Sequence, residues 1–168
     1  IWYSDNERHS KSTSVNLKYP MLLFRFKIDI KTNVITKIQF NFEGYGTAPG
    51  GNGSTIKVWN FTSEAWESTQ TGSGSGDETV TITLTSSLAN YVDEDGYLYF
   101  LARTTNPSNG STAAIIYCDY PECEITVQGI VYADVISHRD EDQINVKPVV
   151  WRTEFIITTW LFETVIVT

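Results

Sequence analysis

Catalysis needs particular side chains within reach of one another, and this sequence has few groupings that qualify. Glu64 and Glu67 stand three apart in "TSEAWE", and Asp93, Glu94 and Asp95 are contiguous in "YVDEDG". A glycosidase requires two carboxyl groups facing each other at a fixed separation, and neither spacing singles out such a pair. Both stretches read more simply as solvated turn carboxylates. His9 lies in a polar N-terminal stretch and His138 in "SHRDED", neither beside a nucleophile motif such as G-x-S-x-G. The expectation is a chain that is not an enzyme.

Calcium is the one metal worth weighing. Asp93 and Asp95, and again Asp140 and Asp142 in the second "DED", could offer loop carboxylates to Ca²⁺ in an extracellular β-sandwich. Neither stretch matches an EF-hand loop, and acidic hairpin tips are common because Asp favours turns. The default is therefore no cofactor. Two cysteines and two distant histidines do not make a zinc site. Cys118 and Cys123 sit close together in "YCDYPECEI", and a C-x4-C spacing across a proline is expected to close a small disulfide loop in an oxidising compartment.

Sugar chemistry would use aromatic rings. Trp59 and Trp66 are candidate stacking platforms, with Tyr45 and Tyr3 as further rings. The plainer expectation for tryptophans in a sandwich is core packing, although strand alternation leaves Trp59 on the less apolar face of "TIKVWNF". Three sequons, at Asn52, Asn60 and Asn109, are candidate glycan acceptors. The first and third fall in expected loops, the second at a strand end.

The elements that must carry these groups are strands. The chain of 168 residues is 41% hydrophobic, 13% aromatic and 19% charged, which is globular, with size enough for one core. Its net charge of -8 argues against a nucleic-acid partner, because phosphate binding needs a basic surface. "MLLFRFKIDI" alternates Leu22, Phe24, Phe26, Ile28 and Ile30 against Arg25, Lys27 and Asp29. "TKIQFNFEG" sets Ile38, Phe40 and Phe42 inward, and "VTITLT" does the same with Val80, Ile82 and Leu84. Residues 71–77, "TGSGSGD", read as a loop between strands. "SSLANYVDEDG" is the one helical turn expected, capped by Ser86 or Ser87. "YLYFLARTT" and "AAIIYCDY" flank the loop "NPSNGS", and "CEITVQGIVYADVIS" supplies two more short strands. Many short strands at roughly ten-residue spacing, with almost no helix, predict an all-β antiparallel sandwich of jelly-roll type.

The order of these segments, "LFRFKIDI", "ITKIQFNFEGYGT", "IKVWNFTSEAWE", "TITLTSSLANYVDEDGYLYFLART" and "IIYCDYPECEITV", resembles the jelly-roll modules of microbial extracellular proteins. These have the galactose-binding-like or carbohydrate-binding-module type of fold. The likeness rests on Trp59-Asn60 to Trp66-Glu67, the hairpin Tyr91-Val92 to Asp95-Gly96, and the closing Asp119-Tyr120, and it covers residues 4 to 127. It implies a secreted or surface protein that binds sugar, serves in an adhesin or builds a structure.

The ending "VVWRTEFIITTWLFETVIVT", residues 149–168, contains no Gly, Pro, Asn or Asp. Arg152, Glu154 and Glu163 and its β-branching oppose a membrane helix. Period two instead puts Val149, Trp151, Phe155, Ile157, Leu161, Val165 and Val167 on one face. Twenty residues at about 3.3 Å each exceed any single strand of a compact sandwich. We therefore expect a body over 1–148 and a strand extension over 149–168 that pairs with a neighbouring copy, with Trp151, Phe155, Ile157, Leu161, Val165 and Val167 as exchange residues. The alternative is that the tail completes the protein's own sheets. The functions expected are a non-catalytic homopolymeric subunit (filament, pilus-like fibre or surface coat) or a carbohydrate-binding or adhesin module. Opening on Ile1, the chain reads as a processed, secreted protein or as an excised fragment.

Overall fold

The computed structural model describes residues 8–28 and 30–128, together with the backbone of Ile156 and Ile157. Among the described residues nine strands form: β1 His9–Thr13, β2 Met21–Lys27, β3 Ile35–Thr47, β4 Ser54–Asn60, β5 Ala65–Thr71, β6 Glu78–Leu84, β7 Tyr97–Thr104, β8 Ala114–Val127 and the short β9 Ile156–Ile157. The first eight make two antiparallel sheets, ordered β1-β8-β3-β6 and β2-β7-β4-β5. β1 pairs with β8, β2 with β7, β3 with β6 and β4 with β5. This nesting is that of one long hairpin wrapped into a sandwich, and it is compatible with the jelly-roll expectation.

Alternation explains the two layers. From β2, Leu22, Phe24 and Phe26 face the core, and from β3, Ile38, Phe40 and Phe42 meet them with no residual exposure on the last three. Phe40 and Phe100 stack across the layers at 4.1 Å between centroids, and Phe24 and Phe26 each lie 5.7 Å from Phe40. Burying each such ring contributes about 1.5–3 kcal/mol, so this aromatic knot is the chief cohesive feature between the sheets. The expected helical turn is a short 3-10 turn, Leu88–Tyr91, which buries Leu88 and Tyr91. Its N-cap residue Ser87 sits at φ 52 and its side chain makes no capping bond, contrary to the expectation of a serine cap.

Two polar strands went unforeseen. β1, "HSKST", and β5, "AWESTQT", each stand at one edge of their sheet and, unlike the edge strands β2 and β6, have no buried position. Edge strands need no apolar face, so alternation does not reveal them.

The region around the cysteines requires a correction. Residues 114–127 are one continuous strand, with Pro121 opposite Phe42 and beyond the described pairing with β1. Both thiols are free and buried. Five residue steps of extended chain set their Cα atoms roughly 15 Å apart, and a disulfide needs Cα atoms within about 7 Å. In a regular strand an odd spacing would also send them to opposite faces. The register steps from Glu43↔Tyr120 to Gly44↔Cys118, leaving Asp119 as an extra, bulged residue. That bulge resets the alternation, so Cys118 and Cys123 both enter the core, each 3% exposed.

Candidate functional site

The outward face of the β2-β7-β4-β5 sheet carries the most distinctive surface among the described residues. Cross-strand register assembles it in rows. Trp66 of β5 lies opposite Trp59 of β4, and Tyr99 of β7 lies opposite Arg25 of β2. Val58 pairs with Phe100, so Trp59 and Tyr99 are neighbours on the outer side and the row runs Trp66, Trp59, Tyr99, Arg25. The next row toward the far end of the sheet is Lys57, Leu101, Leu23, and beyond it come Thr71, Thr55, Arg103 and Met21. On the other side of the aromatic row stand Tyr97 and Lys27.

The rings are partly exposed rather than packed in the core. Trp59 and Trp66 meet edge to face, with centroids 5.3 Å apart and planes at 66°. Phe61, just past β4, sets its ring edge-on to Tyr99 at 5.7 Å. The cations are held over rings: Arg25 lies 4.6 Å and Lys27 5.7 Å from the Tyr97 centroid, and Arg103 lies 4.0 Å from that of Tyr19. A guanidinium over an aromatic face is held by the ring quadrupole, which keeps the charge close to the sheet.

A polar knot anchored on buried Asn60 joins the two strands beside the tryptophans. Asn60 is 7% exposed, and its Oδ1 accepts from the backbone N–H groups of Thr62 (2.9 Å) and Ser63 (3.1 Å). Its Nδ2 donates to Glu67 Oε2 at 2.8 Å, and Ser63 Oγ and Tyr91 Oη donate to the same carboxylate at 2.5 and 3.3 Å. The bond from Ser63, then that from Asn60, holds the Glu67 carboxyl below its ordinary range, with a smaller contribution from Tyr91. Register at this end of the hairpin is thereby locked, and β5 bulges at Ser68, φ 52, before pairing resumes.

Other candidates fall elsewhere. Asn60 has its side-chain amide bonded both to the turn backbone and to Glu67, unlike the other two sequon asparagines. Asn52 and Asn109 are exposed in loops. Asn109 Oδ1 accepts from the backbone of Ser111 and Thr112. Asp93 Oδ1 accepts from the backbone N–H of Asp95 (3.0 Å) and of Tyr97 (2.7 Å), which shapes the hairpin tip. At that tip Gly96 has φ +84, and a Cβ there would lie 2.6 Å from the carbonyl oxygen of Ile28. Among the described residues no cluster of three potential ligands gathers around a metal position. Tyr45 stacks on Tyr117 at 4.6 Å on the other sheet, near Arg8, which is ion-paired with Asp77. His9 lies in β1 opposite Cys118. Tyr3, His138, Asp140, Asp142, Trp151, Phe155, Leu161, Val165 and Val167 lie outside the described residues. The one described pair of the tail, Ile156 and Ile157, adds to β8 of its own chain opposite Thr126 and Ile125.

Fold and surface together define an all-β, two-sheet antiparallel sandwich with an aromatic and cationic sheet face. The chain belongs to the family AF_1625_C, described as "Uncharacterized protein, C-terminal domain", which matches residues 1–127. The match ends with the last residue of β8. No curated protein matches the chain, and no solved structure does. No helix among the described residues is long and apolar enough to cross a membrane.

Proposed function

We propose that this chain is a non-catalytic, glycan-binding β-sandwich domain of jelly-roll type in a secreted or cell-surface protein. The observation that carries the reading is the partly exposed Trp59–Trp66 pair on the outer sheet face, continued by Tyr99 and flanked by polar side chains. Pyranose rings present C–H faces that lie against aromatic rings while their hydroxyls take hydrogen bonds from neighbours, and this face supplies both. Sites of this kind join apolar surface to a few polar groups that fix orientation. The test is retention of the full chain on a panel of immobilised polysaccharides, with Trp59→Ala and Trp66→Ala beside it. Binding lost in both variants while the fold persists supports the proposal; no retention on any glycan removes it.

A second reading, a homopolymeric structural subunit, is favoured by the pairing of Ile156 and Ile157 with β8. It shows a β8 edge that accepts a strand from the tail, and a neighbour's tail could take the same edge by strand exchange. Such exchange is head to tail and produces fibres or rings. Trp151, Phe155, Leu161, Val165 and Val167 would accompany Ile157 into the neighbour's sheet. Sedimentation of the full chain against a chain lacking residues 149–168 tests it: a full-length monomer would remove this reading without touching the first.

A further inference from the structure

The two outer faces of the sandwich differ in charge. On the β1-β8-β3-β6 sheet, Glu43, Glu122 and Glu124 point outward with Lys37 as the one cation among them in β3 and β8. Asn41 Nδ2 donates to Glu122 Oε2 at 3.0 Å and to Glu124 Oε1 at 3.4 Å, so this face is an acidic, hydrogen-bonded ladder. The β2-β7-β4-β5 face is the reverse. Its described outward strand positions carry Arg25, Lys27, Lys57 and Arg103 and no carboxylate. A chain with a net charge of -8 has 12 Lys and Arg in all, and four of these stand on one sheet face beside its row of rings.

Their placement is regular. Lys57 lies on β4 two residues from Trp59, about 7 Å along the strand on the same side. Lys57 is opposite Leu101 and Arg103 is two residues further along β7, which makes the two cations diagonal neighbours about 7–8 Å apart. The opposite flank of the aromatic row carries Lys27, with Arg25 closing the row itself. Rings in the middle and cations to both sides fit a polymer that has a stackable ring and a negative charge in each repeat.

We propose that the ligand of this face is an acidic polysaccharide, a chain of uronic-acid units, whose rings lie on Trp59, Trp66 and Tyr99 while its carboxylates meet Lys57, Arg103 and the cations of β2. The inference rests on the glycan-binding reading and narrows it to a charge class. Single-stranded nucleic acid also offers rings and one charge per repeat, but its phosphate is separated from the stacking base by the sugar. A uronate bears its carboxylate on the ring that stacks, which fits Lys57 two residues from Trp59 and Arg103 diagonal to Lys57.

The experiment uses the full chain and four probes: polygalacturonate, alginate, fully methyl-esterified polygalacturonate and a neutral β-glucan, with a single-stranded oligonucleotide as a fifth arm. Binding is followed at low and at physiological salt. The expected result is binding to at least one uronate, weakened at least tenfold by esterification or by 0.5 M salt, and weakened about three- to tenfold by Lys57→Gln or Arg103→Gln at unchanged melting temperature. Equal binding to esterified, neutral and acidic chains, lost in Trp59→Ala, overturns the charge assignment and leaves the glycan-binding proposal standing. Binding to no polysaccharide overturns both. Preference for the oligonucleotide over either uronate also overturns the inference.

Discussion

Trp59 and Trp66 face each other across β4 and β5, directly in register, with ring planes at 66° and centroids 5.3 Å apart. Edge-to-face pairs contribute about 0.5–1.5 kcal/mol beyond their buried area. Since both rings are only partly buried, Trp59→Ala and Trp66→Ala should each destabilise by about 1–2 kcal/mol and leave the domain folded. Urea unfolding of the two single variants and the double variant should give a coupling energy of about 0.5–1.5 kcal/mol. A coupling of zero would mean that the rings do not meet in solution.

Asn60 is the residue that makes that pairing repeatable, because it joins the turn backbone to Glu67. Asn60→Ala removes two turn bonds and one bond to a carboxylate, and a net cost of about 2–4 kcal/mol is expected from bonds worth about 1 kcal/mol each, more when charged. Asn60→Asp should do further harm by placing a second carboxylate against Glu67. Equilibrium unfolding at neutral pH distinguishes the pair from wild type; an Asn60→Ala loss under 0.5 kcal/mol would show that the knot is ornamental.

The same knot gives the domain an acid limb. Glu67 has a folded value below its ordinary 4.5, so its contribution is complete above the unfolded value and drains away as pH falls through the folded one. Stability should therefore fall as the pH drops below that ordinary value, in part through this group. Glu67→Gln should lower stability at neutral pH and flatten the fall. Urea midpoints at pH 7, 5, 4 and 3 for both proteins measure this, and parallel curves would count against it.

Cys118 and Cys123 should behave as inert core thiols. Burial, ahead of neighbouring Asp119, Asp77 and Glu43 for the first and of Glu122 and Glu124 for the second, pushes both far above their ordinary range. Only the thiolate attacks, so iodoacetamide should label neither in the folded protein and both after unfolding. Mass spectrometry without reductant should show two free thiols even in an oxidising buffer. One intramolecular disulfide in the folded state would contradict the continuous β8.

Phe40 tests the core. Its ring stacks on Phe100 at 4.1 Å and touches Phe24 and Phe26, with no exposed surface. Phe40→Ala should cost about 3–5 kcal/mol, against at most about 1 kcal/mol for the exposed Thr81→Ala on the outer face of the same sheet. Thermal melts of the two variants should separate clearly.

Much of this architecture could be read from period-two alternation alone. Leu22, Phe24 and Phe26, Ile38, Phe40 and Phe42, and Val80, Ile82 and Leu84 point to the core because a half-buried strand buries alternate side chains. The all-β sandwich follows from those segments, and Trp59 already stood on the outer side of its strand. Composition likewise set the acidic charge.

Long-range register decided the rest. Trp66 lies only seven residues beyond Trp59 in one hairpin, but their register depends on the turn at Asn60; Tyr99 and Arg25, which continue the row, come from strands tens of residues away. Spacing could not show that Cys118 and Cys123 share a core: the bulge at Asp119 arises where β8 follows β3 through Gly44. The sequon at Asn60 likewise gave no sign that its side chain joins the turn backbone to Glu67. Sequence alone therefore determined which side each strand turns to the core, since that depends on neighbouring residues. Which surface groups meet depends on strand pairing across the sheets, and only the tertiary structure brought the aromatic and cationic face together.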